Sequence, residues 1–393
     1  MALGVGEQGL PAVKKSIMFV EITAADMCSD ALAEQLEQAL AQFLEGDFRE
    51  KWETSKQLVE LGPAAIAYLV PLLQDEASDW EVRWFAARTL GQFEHPDALQ
   101  ALIDLLQQQP DPDVLTMAAE GLSHFGDAGI KALIELLEQP EYRLIAVQVL
   151  ASIQHSSVFV PLLTAAEDAD PAIRAKAIAA LGNFHHEEVD KLLIGTVRDP
   201  SMIVRREAIA ALGVRHHLLT QVNLVDLLLP GLWDVRPEIN QATAIALGKL
   251  GTETAVAALA RVLSSPHTPD NLQADIISAL GWIERASALR ALIAALRQLS
   301  GSLQVQVVET LTRLQTPQLQ QRAGDALCDW LKTYLLLPTA DNQLIATIAL
   351  ALGTLHYQPA MLVLTDLQTH DDPKVQLYAT AALRYFADEA GPG

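Results

Sequence analysis

Apolar residues recur along the chain in stripes of helical period, and one stripe returns many times. It centres on a leucine, most often followed by glycine, as in Ala87-Arg-Thr-Leu90-Gly91, Ala177-Ile-Ala-Ala-Leu181-Gly182, Ala208-Ile-Ala-Ala-Leu212-Gly213 and Ala349-Leu-Ala-Leu352-Gly353. With Leu61, Leu122, Leu150, Leu247, Leu280, Leu311 and Leu383 there are eleven such anchors, at a period near 31 residues. Eight positions before the anchor stand Val82, Ile173 and Val204. Four before it stand Ala86, Ala177 and Ala208, and three after it Phe93, Phe125 and Phe184. Offsets −8, −4, 0 and +3 share one stripe of a 3.6-residue helix. The small residues at −4 let neighbouring helices approach closely.

A turn precedes each stripe, clearest at Asp170-Pro171, Asp199-Pro200 and Asp372-Pro373. Asp is a favoured helix cap and Pro is tolerated in the first turn, so a helix starts there and runs through the anchor. Seven positions before the anchor comes a long donor: Arg83, Arg143, Arg174 and Arg205, then Gln273, Gln304 and Gln376. The Asp–Arg spacing predicts hydrogen bonds that tie turns together across repeats. Between anchors lies a second amphipathic run, such as Ala98–Leu106 or Ile130–Leu137. Each repeat is therefore a helical hairpin that buries its stripe only by stacking on its neighbours. The predicted fold is all-α, an α-solenoid (superhelix) of about eleven stacked hairpins with an N-terminal cap helix.

The phrase Asp170-Pro-Ala-Ile-Arg174 followed by Ala177-Ile-Ala-Ala-Leu-Gly182 resembles the short HEAT-like repeat of the E/F-type phycobilin lyases. The resemblance covers about residues 47 to 388. It implies a HEAT-repeat array and one of three functions: a phycobilin lyase or isomerase subunit handling a tetrapyrrole, an adaptor for phycobilisome assembly or degradation, or an interaction scaffold. One uninterrupted array of this length resembles the cyanobacterial HEAT-repeat partner of the A-type iron–sulfur carrier IscA. That likeness implies an iron–sulfur carrier as partner, with any cluster held jointly. The lyase likeness implies a phycobiliprotein partner and a phycobilin.

The organisation expected is a mobile tail over 1–28, a single continuous solenoid over 29–388 and a short tail over 389–393. Residues 29–61 form the cap and first partial repeat, with Leu32, Leu36, Leu40 and Phe43 inward and Glu and Gln outward. The 41-residue gap from Leu311 to Leu352 predicts a lengthened outer helix, about Pro317 to Leu336.

Charge narrows the partner. The net charge is −22, which excludes a nucleic-acid backbone and an anionic membrane surface. The two cysteines, Cys28 and Cys328, allow no disulfide framework and fit a reducing cytoplasm. No apolar stretch approaches the roughly 20 residues of a membrane span.

Chemistry is sparse. There is no Gly-rich phosphate loop, HExxH or GxSxG motif, so no catalytic residues and no metal ligands are assigned, and a non-enzymatic role is favoured. Seven histidines (His95, His155, His185, His186, His216, His217 and His356) fall at one inter-repeat turn. Neighbouring repeats set them too far apart for one metal, and a cationic residue at a helix C-terminus suits the dipole. Paired carboxylates such as Glu187-Glu188 sit in solvated turns. Offsets −9, −6, −5, −2 and +2 face away from the core stripe and are expected to line the concave surface. In the first repeats they are Trp84, Phe85 and Arg88, then Met117, Glu120 and His124, then Leu144 and Ile145. An exposed aromatic cluster rimmed by charge is the mark of a partner site. The competing expectation is that Trp84 and Phe85 pack beneath the cap helix. Tyr378, Arg384, Tyr385 and Trp282 form a weaker second cluster.

Overall fold

The structure is a computed structural model of the 393-residue chain, described here for residues 30–75, 78–108, 112–338 and 340–388. Cys28 and Ser29 lie outside these residues. The chain divides into two compact units, one ending at Phe184 and the other beginning at His185. Among the described residues every regular element is helical, and the helices pair into eleven hairpins.

The N-terminal unit holds five hairpins: α1 (Asp30–Glu45) with α2 (Phe48–Glu60), α3 (Ile66–Gln74) with α4 (Trp80–Leu90), α5 (Pro96–Gln107) with α6 (Pro112–His124), α7 (Asp127–Leu137) with α8 (Arg143–Ser152), and α9 (Phe159–Ala165) with α10 (Pro171–Leu181). The C-terminal unit holds six: α11 (Glu187–Thr196) with α12 (Met202–Leu212), α13 (Leu224–Leu228) with α14 (Pro237–Leu250), α15 (Glu253–Leu263) with α16 (Asp270–Gly281), α17 (Ala286–Gln298) with α18 (Ser302–Leu311), α19 (Pro317–Tyr334) with α20 (Asn342–Thr354), and α21 (Met361–Leu367) with α22 (Pro373–Asp388). Within each unit the second helices pack one on the next, α2 to α10 and α12 to α22, forming a layer over the first helices. The fold class is the α-solenoid. The long insert is helix α19, as its spacing predicts, and its Cys328 is buried.

The anchor stripe is the core. Nine of the eleven anchor leucines are fully buried, and only Leu61 and Leu383, in the first and last hairpins, are half-exposed. The alanines at −4 (Ala86, Ala118, Ala146, Ala177, Ala208) are also fully buried. Removing a leucine or isoleucine side chain of this kind from water contributes roughly 1.5–3 kcal/mol. Helix α1 covers one end of the array with Leu36, Leu40 and Phe43 and turns Glu34, Glu37 and Gln38 to solvent.

The polar turn residues tie successive repeats together in places, and they also cap helices and close hairpins. Asp79, Asp170 and Asp341 cap their helices, each accepting a backbone N–H two residues on. The long donor at −7 reaches back to carbonyls of the last turn of the preceding first helix, or of the turn that follows it. Arg83 Nε donates to the Leu73 carbonyl at 3.1 Å, Arg174 to that of Asp168 at 2.8 Å, Arg205 to that of Asp199 at 3.0 Å and Gln304 to that of Leu296 at 2.9 Å. These bonds close their hairpins on themselves: Arg83 and Gln304 satisfy last-turn carbonyls that have no partner inside the helix, and Arg174 and Arg205 satisfy carbonyls of the inter-helix turn. Arg143 and Arg205 also reach the next repeat, the first to the Asp168 carboxylate and the second to that of Asp234, both at 2.9 Å.

Candidate partner-binding surface

The surface is built from α2, α4, α6 and α8, which lie side by side in the N-terminal unit. Helix α2 starts in a capping box, Asp47 with Glu50, which fixes where Phe48 and Trp52 emerge. Helix α4 is capped by Asp79, and it is held to α2 by the Lys51–Glu81 bridge at 3.1 Å. Five side chains meet across this seam. The Phe48 and Trp84 rings are 6.2 Å apart, Phe48 and Phe85 meet edge-on at 5.0 Å, and the Arg88 guanidinium lies 3.8 Å from the Trp52 ring centroid. A cation this close to an aromatic face is worth about 0.5–2 kcal/mol, more as water is excluded. Arg88 Nη1 is buried with no hydrogen-bond partner, so the stack holds the guanidinium without satisfying it fully.

Exposure corrects two of the seven residues expected here. Phe85 is completely buried, covered by Phe43 of α1 at 6.3 Å and by Phe48. Met117, at the same offset on α6, is buried as well. On α4 and α6 offset −5 turns inward between adjacent second helices, and the α1–α2 hairpin closes over Phe85, whereas Ile145 at the same offset of α8 stays partly exposed. Trp84, Arg88 and Ile145 are half-exposed, and Glu120 and His124 are exposed. His124 Nδ1 is 3.2 Å from the Gly91 carbonyl, so that ring spans from α6 to the end of α4. The sequence reading passed over Phe48, which is 53% exposed, and Trp52. Trp52 stands at −9, an offset that faces away from the stripe, but its helix reads as a cap.

The equivalent face of the C-terminal unit is sewn up by polar bonds. Gln241 donates to Asp275 at 3.1 Å, and Gln306 to the Ala274 carbonyl at 2.9 Å and Ser278 Oγ at 3.2 Å. Tyr378 lies under the Lys374 ammonium, Tyr385 packs edge-on to His356 at 6.0 Å, and Trp282 is 54% exposed.

Three histidines of the row, His95, His155 and His186, are helix caps, and His370 outside it makes the same bond. Nδ1 of His95, His155, His186 and His370 accepts a backbone N–H two residues on, at 3.1–3.3 Å. The first three start the following helix or 3₁₀ turn. Their role is thus at helix N-termini, opposite to the C-terminal one expected from the dipole, because the imidazole lone pair substitutes for the usual Asp oxygen. His217 instead donates to Asp190 at 2.7 Å, beside the fully buried Arg215, whose Nη1 is 2.9 Å from the other Asp190 oxygen. Desolvation lowers the Arg215 pKa, opposed by the Asp190 charge. Among the described residues no group of three or more His, Cys, Asp or Glu is placed to hold a metal ion.

Stacked hairpins of this kind match a known pattern: the model of HEAT repeats fits residues 33–123, 66–150, 130–213 and 189–274. The chain belongs to the HEAT-repeat family. No curated protein matches it. Similar solved structures include one described as Kap95p binding that switches RanGDP to the GTP-bound conformation, and one of importin beta. The first is 14% identical with a TM-score of 0.61, over 91% of this chain and 55% of that one. The second is 14% identical with a TM-score of 0.51, over 95% and 59%. An engineered protein aligns over 96% of this chain and 99% of its own, at 21% identity and a TM-score of 0.40. This chain thus spans little more than half of either larger relative, and the likeness is one of fold. Among the described residues no helix is long and apolar enough to cross a membrane.

Proposed function

We propose that this HEAT-repeat chain is a non-enzymatic scaffold that holds a partner protein on the second-helix face of its N-terminal unit. The observation that carries the reading is the half-exposed stack of Phe48, Trp52, Trp84 and Arg88. Tryptophan and arginine are the residues most enriched among interface hot spots. Glu120, His124 and Ile145 continue the face onto α6 and α8. The partner we favour is an A-type iron–sulfur carrier, with any cluster held on the carrier rather than by this chain alone. Support comes from the length and single-chain organisation of the array, which resemble IaiH, the cyanobacterial HEAT-repeat partner of IscA.

Affinity capture from native extract, with proteins identified by mass spectrometry, tests both parts. The scaffold reading expects an iron–sulfur carrier captured by the wild-type chain and lost from a Trp52→Ala, Trp84→Ala variant whose circular dichroism is unchanged. Recovery of phycobiliprotein subunits, with visible absorbance gained on adding free phycobilin, would replace it with the bilin reading.

A further inference from the structure

The two layers of the N-terminal unit differ sharply in charge. Its second helices, α2, α4, α6, α8 and α10, carry eight Lys or Arg and six Asp or Glu. Its first helices, α1, α3, α5, α7 and α9, carry eight Asp or Glu and one Lys, Lys131. Carboxylates are divided almost evenly, but the layer opposite the Trp52–Trp84 surface has almost no cations and is the net-negative one.

That layer also contains an apolar groove. Helix α9 has only seven residues and follows a 3₁₀ turn, Ser156–Val158. Helix α7 packs against that turn, and a groove of about 570 Å³ remains between α7 and α9, within the roughly 300–1,000 Å³ of ligand sites. Ile134, Leu137, Val160, Pro161 and Ala165 line it, and Val160 is 67% exposed. Its one cation, Arg143, is bound to Asp168 at 2.9 Å, and the exposed Glu138 stands on its rim.

We propose that this groove seats an amphipathic, lysine- or arginine-rich helix of a partner protein. Apolar side chains of that helix enter between α7 and α9, and its cations face Glu138 and the carboxylates of the same layer. Burial of the apolar stripe supplies affinity, and the net-negative layer selects the sign of the partner and speeds encounter. This site is independent of the surface proposed above.

The test uses the full chain and a labelled synthetic helix with Leu at i, i+3, i+4 and i+7 and Lys elsewhere, followed by fluorescence anisotropy. A companion peptide has Glu at every Lys. The lysine peptide is expected to bind and the glutamate peptide not to. Val160→Lys is expected to weaken binding by about tenfold, whereas Val235→Lys is not. Val235 is 90% exposed in the C-terminal unit, so it receives the same charge on another surface. Both valines are exposed, and thermal melts confirm that each variant folds. Equal weakening by the two substitutions, binding of the glutamate peptide as tight as the lysine one, or no binding of either overturns the proposal. Loss of the lysine peptide in Trp84→Ala but not in Val160→Lys also overturns it and moves the peptide to the aromatic surface.

Discussion

Gly353 lies so close to Ala382 that a β-carbon built on the glycine would sit 2.6 Å from the Ala382 Cα. The same pairing joins Gly213 to Ala246 at 2.7 Å and Gly91 to Gly121 at 2.3 Å. In each case the glycine after one anchor leucine meets the residue just before the next anchor. The recurring Leu-Gly phrase is therefore a contact between successive second helices. Gly353→Ala is expected to destabilise the protein by about 1–3 kcal/mol through overpacking. Helix propensity alone favours alanine by about 1 kcal/mol, so the sign of the change in urea unfolding decides between the two effects.

The donor at −7 gives a second expectation. Arg205 makes bonds to the carbonyls of Asp199 and Pro200 and to the Asp234 carboxylate. Arg205→Ala strands the two carbonyls and the carboxylate, and a loss of about 1.5–3 kcal/mol follows if the charged bond is the main contributor. Gln304→Ala removes one neutral bond to Leu296 and costs less. Parallel denaturant titrations of the two variants check the order.

His186 caps α11 by accepting the Glu188 N–H. His186→Ala is expected to cost about 0.5–2 kcal/mol and His186→Asn little or nothing, since Asn supplies an equivalent oxygen. Amide hydrogen exchange of the first turn of α11 reads the effect locally.

Glu284 accepts the N–H groups of Gln315 and Thr316, at 2.9 and 3.2 Å, from the start of α19. Desolvation raises its pKa, but the Thr316 and Gln315 hydrogen bonds outweigh this and leave it lowered. A carboxylate with a depressed folded pKa stabilises above its unfolded pKa and loses that contribution as pH falls through the folded value. Glu284→Gln is therefore expected to melt lower than wild type at neutral pH. The gap closes in acid, below the ordinary glutamate range. A gap that is constant with pH would assign the effect to packing instead.

Much of this architecture is legible in the residues. The offsets −8, −4 and 0 predict the buried stripe because a helix in a stack has one obligatory inward face, and that face is written in Val, Ala and Leu. The extra residues before Leu352 predict α19 for the same reason. The surface is less legible. Offset −5 looks outward on a single helix, but Phe85 and Met117 are buried because a neighbouring helix covers that angle, and coverage depends on packing that one helix does not encode. Trp52 shows the converse: a residue of the cap hairpin stays half-exposed and stacks on Arg88. His95 and His186 read as C-terminal polar residues by position, yet Nδ1 turns toward the helix that follows.

The seam between α2 and α4 is the centre of the proposed docking surface. The decisive measurement is site-specific photo-crosslinking in native extract, with a benzophenone side chain at position 84 and, as control, at the exposed position 282 of the C-terminal unit. A single protein crosslinked at 84 and absent at 282 is the predicted result. Crosslinks at 84 no more numerous or specific than those at 282 would contradict it.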